Sequence, residues 1–129
     1  ASTGRAPTVA WELDRSLPYV PTPIAVGEHL YILSDAGVMT CVTAATGEQV
    51  WQERLGGECY ASPVSVNGRI YTITRSGEVL VLKVGPEYKF LGKSTLPEQT
   101  DATPAIAMGR MYIRTLNHLI CIGDAEAEN

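Results

Sequence analysis

The residues of this chain with usable chemistry are three cysteines, two histidines and a set of recurring aromatics. Cys41, Cys59 and Cys121 would offer thiolate ligands or disulfides if they were closely spaced or stood near histidines. They form no CxxC and have no histidine close by, so neither a metal site nor a disulfide framework is predicted. His29 and His118 could act as ligands or acid–base groups. Each stands beside a turn signal with no partner nearby in sequence, and both are expected in solvent. The ten Lys and Arg are scattered. No basic stripe exists to neutralise phosphates, which argues against a nucleic-acid partner.

The elements that position these residues repeat. Trp11 and Trp51, Pro23 and Pro63, Val26 and Val66, Tyr31 and Tyr71, and Gly37 and Gly77 are each 40 residues apart. A third copy begins near Leu91 and, after a one-residue insertion, carries Pro104, Tyr112 and the apolar run Leu119, Ile120, Cys121, Ile122. A repeat of this length built from strands is the signature of a β-propeller blade. In that frame Cys41 and Cys121 share a place with Val81 and read as small apolar core residues. Cys59, in a connection, is expected to be more accessible. The recurring Tyr31, Tyr71 and Tyr112 read as packing between blades with satisfied hydroxyls, and Trp11 and Trp51 as structural anchors. Binding would fall to loops at one mouth of the ring, where Tyr19, Asp35, Tyr60, Arg75 and Arg114 are the polar or aromatic candidates. No catalytic, cofactor-binding or metal-ligating residue is assigned.

Strands are expected at 24–26, 30–34, 38–43 and 49–54, at 64–66, 69–74, 78–84 and 89–96, and at 105–107, 110–115 and 118–122. One further strand, around TVAWEL at 8–13, would precede them. The proline-rich SLPYVPTP after it cannot continue a ladder and must connect. EVLVLKV is apolar on nearly every residue, so both faces of its sheet should be covered. No segment carries a helical period with a cap and a stop. The predicted fold is all-β, with four antiparallel strands to a blade: a blade-closing strand at 8–14, blade 1 at about 22–54, blade 2 at about 62–96, blade 3 at about 103–122, and an acidic tail at 123–129.

The chain has 129 residues, 45% hydrophobic and 19% charged, a composition expected of one core. No apolar run approaches the ~20 residues of a membrane helix, and the first residues lack the regions of a secretory signal. The formal net charge is −4; Asp124, Glu126 and Glu128 lie in the last six residues, and without them the body carries −1.

Propellers close with typically four to eight blades, so three blades are an arc. Leaving ~400 Å² of apolar face wet would cost about 10 kcal/mol at ~25 cal/mol per Å². The expectation is that both terminal faces of the arc need covering. Either the chain is a piece of a longer propeller, or two copies associate head to tail into a six-bladed ring, the first strand of one completing the last blade of the other.

CVTAATGEQVW at 41–51 resembles the blade repeat of pyrroloquinoline-quinone-type (quinoprotein-like) β-propellers, in which Thr-Gly is followed three residues later by a tryptophan between blades. Thr46, Gly47 and Trp51 match. The family's aspartate is replaced by Thr43, and the second copy has Pro86-Glu87 and Leu91 in place of Thr-Gly and tryptophan. YASPVSVNGRIYTITRSGEVLVL and TPAIAMGRMYIRTLNHLICI extend the likeness over nearly the whole chain. The family includes quinoprotein dehydrogenases, a non-enzymatic outer-membrane assembly lipoprotein and sensor-like repeat proteins, so the resemblance implies architecture before activity. It implies a periplasmic or secreted setting. A quinone slot with calcium would bring adjacent cysteines and a cluster of Asp, Glu and Asn, and the sequence has neither. The reading is a non-catalytic binding or scaffolding module with a protein partner and no cofactor in this chain. The alternatives are part of a quinone-dependent dehydrogenase, with quinone and calcium held by other blades, and the sensor propeller of a signalling protein.

Overall fold

Strands form where the repeat sets apolar and β-branched residues between turn signals. The computed structural model describes Gly4 and residues 6–123, and these contain strands and no helix. β1 (Ile24–Val26), β2 (His29–Leu33), β3 (Val38–Thr43) and β4 (Gln49–Arg54) make the first blade. β5 (Val64–Val66), β6 (Arg69–Ile73), β7 (Glu78–Lys83) and β8 (Phe90–Thr95) make the second, and β9 (Ala105–Ala107), β10 (Arg110–Arg114) and β11 (Leu119–Ile122) the third. Each blade is an antiparallel meander in chain order. Tyr31 pairs with Cys41, Tyr71 with Val81 and Tyr112 with Cys121, which places both cysteines at the valine position. The ladder shifts register at Cys41/Val42 and again at Val81/Leu82, one bulge at the same place in two blades.

Because side chains alternate across a strand, each blade gives one face to the next blade and the other to the previous one. Tyr31, Leu33, Met39 and Cys41 of blade 1 meet Ile70 and Leu82 of blade 2 in a core where all six are fully buried. Ile73 and Val79 of blade 2 meet Ile113 of blade 3, with Ala61 and Leu96 from the connections. This two-sided burial is why EVLVLKV is apolar almost throughout.

Aromatics tie blade to blade. The Trp51 indole N–H donates to the carbonyl of Gly85 at 3.2 Å, and its ring meets Tyr88 edge-on at 5.3 Å. The Tyr31 hydroxyl accepts the Gly85 N–H at 2.9 Å. One blade earlier, Trp11 donates to the carbonyl of Ala44 at 2.9 Å.

Two expectations are corrected. Residues 8–13 form no strand: a strand exists only against a hydrogen-bonded neighbour, and the third strand of a preceding blade is absent among the described residues. Trp11 nonetheless sits where a fourth-strand tryptophan belongs. The second correction concerns the terminal faces, of which one is covered and one open. Ile32 and Val42 point away from blade 2, yet are 5% and 1% exposed. The segment before β1 is anchored beyond both ends of β3, Trp11 bonding Ala44 and the Tyr19 N–H bonding Asp35. On blade 3 the corresponding outward face carries Leu119, 72% exposed, and the exposed Cys121. The predicted acidic tail lies, from residue 124 onward, outside the described residues.

Candidate functional site

The turns between second and third strands and the crossovers between blades gather at one end of the arc, and backbone bonds join them in a fixed order. Cys59 N–H donates to the Asp35 carbonyl and Arg75 N–H to that of Glu58. One blade on, Thr100 N–H donates to Arg75 and Leu116 N–H to Gln99. The crossovers pass so close that a Cβ on Gly37 would lie 2.0 Å from the Gly57 carbonyl oxygen, and one on Gly77 2.4 Å from that of Glu98. Both glycines also hold positive φ, 87° and 99°, so these turns require glycine twice over. The repeated backbone leaves the side chain at the first zipper position free to vary: Asp35, Arg75 and Leu116 occupy it in turn.

The structure divides the sequence-derived candidates into three groups. Asp35 accepts the backbone N–H groups of Tyr19 at 2.6 Å and Val20 at 3.2 Å, fixing the first crossover while the Tyr19 side chain stands 95% exposed. Tyr60 and Arg75 come together, with the guanidinium 4.0 Å above the ring centroid. Arg114 turns back on its own strand end and donates to the carbonyls of Thr115, Leu116 and His118.

Arg75 is held on a second side by a fork to Asp101, Nε to Oδ1 at 2.8 Å and Nη2 to Oδ2 at 3.3 Å. Glu58 approaches Nη1 at 3.6 Å from a side chain that is 72% exposed. Asp101 strengthens the hold of Arg75 on its proton. The clamp spans two crossovers and one turn, and with Gly57, Ser76 and Gln99 it borders an open cleft of about 450 Å³. A second cleft of about 390 Å³, lined by Gln99, Asp101, Arg114, Thr115 and Leu116 among others, lies beyond it.

Sequence reasoning missed Glu58, Glu98, Gln99 and Asp101, because their partners are distant in the chain. Glu98 accepts from Thr115 Oγ1 at 2.7 Å, His118 Nδ1 at 2.6 Å and Asn117 Nδ2 at 2.7 Å. These donors pull its carboxyl down to about 2. His118, placed by its turn signal in solvent, is exposed and has this partner too. The one available signal was the insertion before Pro104, which falls in this crossover. Cys59 departs from expectation: it is fully buried between blades 1 and 2, its thiol directed at the Gly57 carbonyl, and burial pushes it up to about 11.

The carboxylates of this face are already engaged: Asp35 by backbone, Asp101 by Arg75, Glu98 by three side chains. Among the described residues no group of three or more His, Cys, Asp or Glu is arranged to hold a metal ion. Among the described residues this donor set does not fit a calcium-bound quinone. The arrangement offers shaped, charged contact area.

A family model described as "Outer membrane protein assembly factor BamB" matches residues 5–85. The protein of that name from Burkholderia pseudomallei (strain K96243) is 31% identical over 100 residues, which are 77% of this chain and 26% of that protein. The chain thus spans about a quarter of the length of the curated relative. Among solved structures, BamB from Moraxella catarrhalis superposes with a TM-score of 0.69 at 14% identity, over 88% of this chain and 35% of that one. A europium-containing methanol dehydrogenase gives 0.67 at 16% identity, over 82% and 22%. At these identities the structural likeness concerns the fold.

Proposed function

Because the chain belongs to the BamB-like family of PQQ-repeat β-propellers, we propose that it is a non-catalytic module that binds a protein partner in outer-membrane protein assembly, in the periplasm. The working surface in this reading is the end of the arc that carries Asp35, Arg75 and Leu116. One observation supports it above others. Backbone bonds between turn and crossover, made by the carbonyl of Asp35, by both groups of Arg75 and by the N–H of Leu116, present an acid, a base and an exposed leucine, 65% accessible, at corresponding turns. The scaffold does not need that variety. A pre-oriented arginine stacked on tyrosine beside exposed aliphatic area is the composition of protein-binding hot spots, and the reading requires no cofactor in this chain.

A photo-crosslinker placed at Leu116 or Ser76 in the native host should trap an envelope protein, identified by mass spectrometry. One placed at Glu87, on the opposite end of blade 2, should not. With the crosslinker at Ser76, Leu116→Asp, at an exposed side chain, should abolish the adduct, lower outer-membrane protein content and leave the circular dichroism unchanged. Equal trapping from both ends, or unaltered outer-membrane protein levels, would sink this reading.

The fold likeness to the methanol dehydrogenase supports a second reading, in which the chain is part of a quinone-dependent dehydrogenase whose site lies in other blades. A spectroscopic titration of the full-length protein with pyrroloquinoline quinone separates the two: saturable binding favours the enzyme.

A further inference from the structure

The Lys and Arg residues are scattered in the sequence, yet strand pairing brings three of them abreast at one end of blade 2. Arg69 on β6 faces Lys83 on β7. The Lys83 N–H donates to the Lys89 carbonyl at 3.0 Å, one step beyond the pair of Leu82 and Phe90. Residues directly opposite on neighbouring strands share a face. Arg69, Lys83 and Lys89 therefore form one row across three strands, about 10 Å wide at ~4.8 Å per strand. All three are exposed. Blade 2 has its four strands and a blade against each face, so the row belongs to a complete blade.

Like charges set directly opposite one another destabilise a sheet, and the fold does not require them here. The same row in blade 1 is His29, Thr43 and Glu48. Lys93, the remaining lysine, is paired with Glu78 at 3.0 Å, whereas none of the three makes an ion pair with another described residue. The turn that carries Lys89 is held from blade 1: the Gly85 N–H donates to the Tyr31 hydroxyl, the Gly85 carbonyl accepts from the Trp51 indole, and Tyr88 packs on Trp51. A cleft of about 210 Å³ opens at this turn, bordered by Lys83, Gly85, Glu87 and Lys89 among others.

We infer that this row is a binding site for a phosphate group. Three positive charges side by side favour a dianion over a single carboxylate, and both lysine and arginine are suited to phosphate oxygens. The cleft is smaller than the ~300 Å³ at which small-molecule pockets begin, so it takes the charged group and leaves the rest of a larger molecule outside. Free phosphate and the headgroup of an anionic phospholipid share this chemistry. The site lies at the opposite end of blade 2 from the partner-binding surface and is independent of it.

The test is calorimetric titration of the full-length protein with inorganic phosphate at fixed ionic strength, with acetate as the control anion. Beside it, cosedimentation is measured with phosphatidylcholine vesicles that contain phosphatidic acid. Lys83→Gln with Lys89→Gln, at exposed side chains, should weaken binding by about tenfold with the circular dichroism unchanged. Glu87→Gln removes the acid that borders the cleft and should tighten it by about twofold. Lysine-dependent sedimentation assigns the phosphate to a lipid headgroup, and lysine-dependent calorimetric binding without sedimentation assigns it to a soluble phosphate. Equal affinity for acetate overturns the inference, as does binding that survives the lysine substitutions, weaker binding by Glu87→Gln, or the absence of both binding and sedimentation. A protein cross-linked from Glu87 overturns it too, because the row would then serve a protein partner.

Discussion

The junction between blades 1 and 2 and the junction between blades 2 and 3 share a backbone plan and differ in chemistry. The first is aromatic: Trp51 reaches across to Gly85 and Tyr88, the Tyr31 hydroxyl is bonded to Gly85, and Leu33, Met39, Ile70 and Leu82 are sealed beneath them. The second has Gly92, not the expected Leu91, at the tryptophan position, since Gly92 faces Val81 as Trp51 faces Cys41, and it has a smaller apolar core of Ile73, Val79, Leu96 and Ile113. It is fastened instead by polar side chains, through the fork from Arg75 to Asp101 and the three donors converging on Glu98. A propeller junction can therefore be held at its rim by packing or at its mouth by hydrogen bonds. The polar choice falls where the clefts are.

The largest expected contrast is between the rim positions. Trp51→Ala should cost about 3 kcal/mol, while Gly92→Ala, where an added Cβ meets open space, should change stability by less than about 1 kcal/mol, both read from urea midpoints. Equal losses would mean that the second junction depends on its rim as heavily as the first.

Glycine substitutions come next, because the close approach of the crossovers is common to both junctions. Gly37→Ala and Gly77→Ala each force a Cβ into a backbone carbonyl at positive φ and should each lose more than about 2 kcal/mol. Gly56→Ala has the same backbone requirement at φ 92° with open space around it, and should lose about 1 kcal/mol. A Gly37 variant no worse than the Gly56 variant would show that the crossovers yield easily.

Smaller again is the tyrosine pair. Tyr31→Phe strands the Gly85 N–H and should cost about 1 kcal/mol. Tyr71→Phe, at the equivalent place but without that bond, should be close to neutral in the same denaturation series.

The least of the effects is a dependence on pH. Glu98 is held down to about 2 by its donors, whereas an unfolded glutamate titrates near ~4.3. Its folded value is depressed, so the stability it adds is full above the unfolded value and fades as pH falls toward 2. Glu98→Gln should flatten the acid limb of the thermal midpoint in that window, and Glu53→Gln should leave it unaltered. An unchanged slope in Glu98→Gln would mean that the bonds to the carboxylate do not favour its charged form.

The spacing of forty residues, the doubly apolar third strand and the turn residues were sufficient to fix the three meanders within a residue or two of their observed ends, because register and face follow from local alternation. The interblade roles of Trp51 and Tyr31 were legible from their 40-residue spacing from Trp11 and Tyr71, whereas the partners they meet differ from blade to blade. The site was legible only by position. Tyr60 and Arg75 could be named as lying near strand ends, but their stacking, and the arrival of Asp101 and Glu58, depend on chain segments 15 to 26 residues from Arg75 in sequence. Three decisions belonged to tertiary structure alone: that Cys59 is sealed in a core, that Glu98 is caught by the turn of the next blade, and that residues 8–13 remain without a ladder. Each turns on which segment comes to lie beside another, and a strand sequence becomes a strand only when an edge is there to receive it.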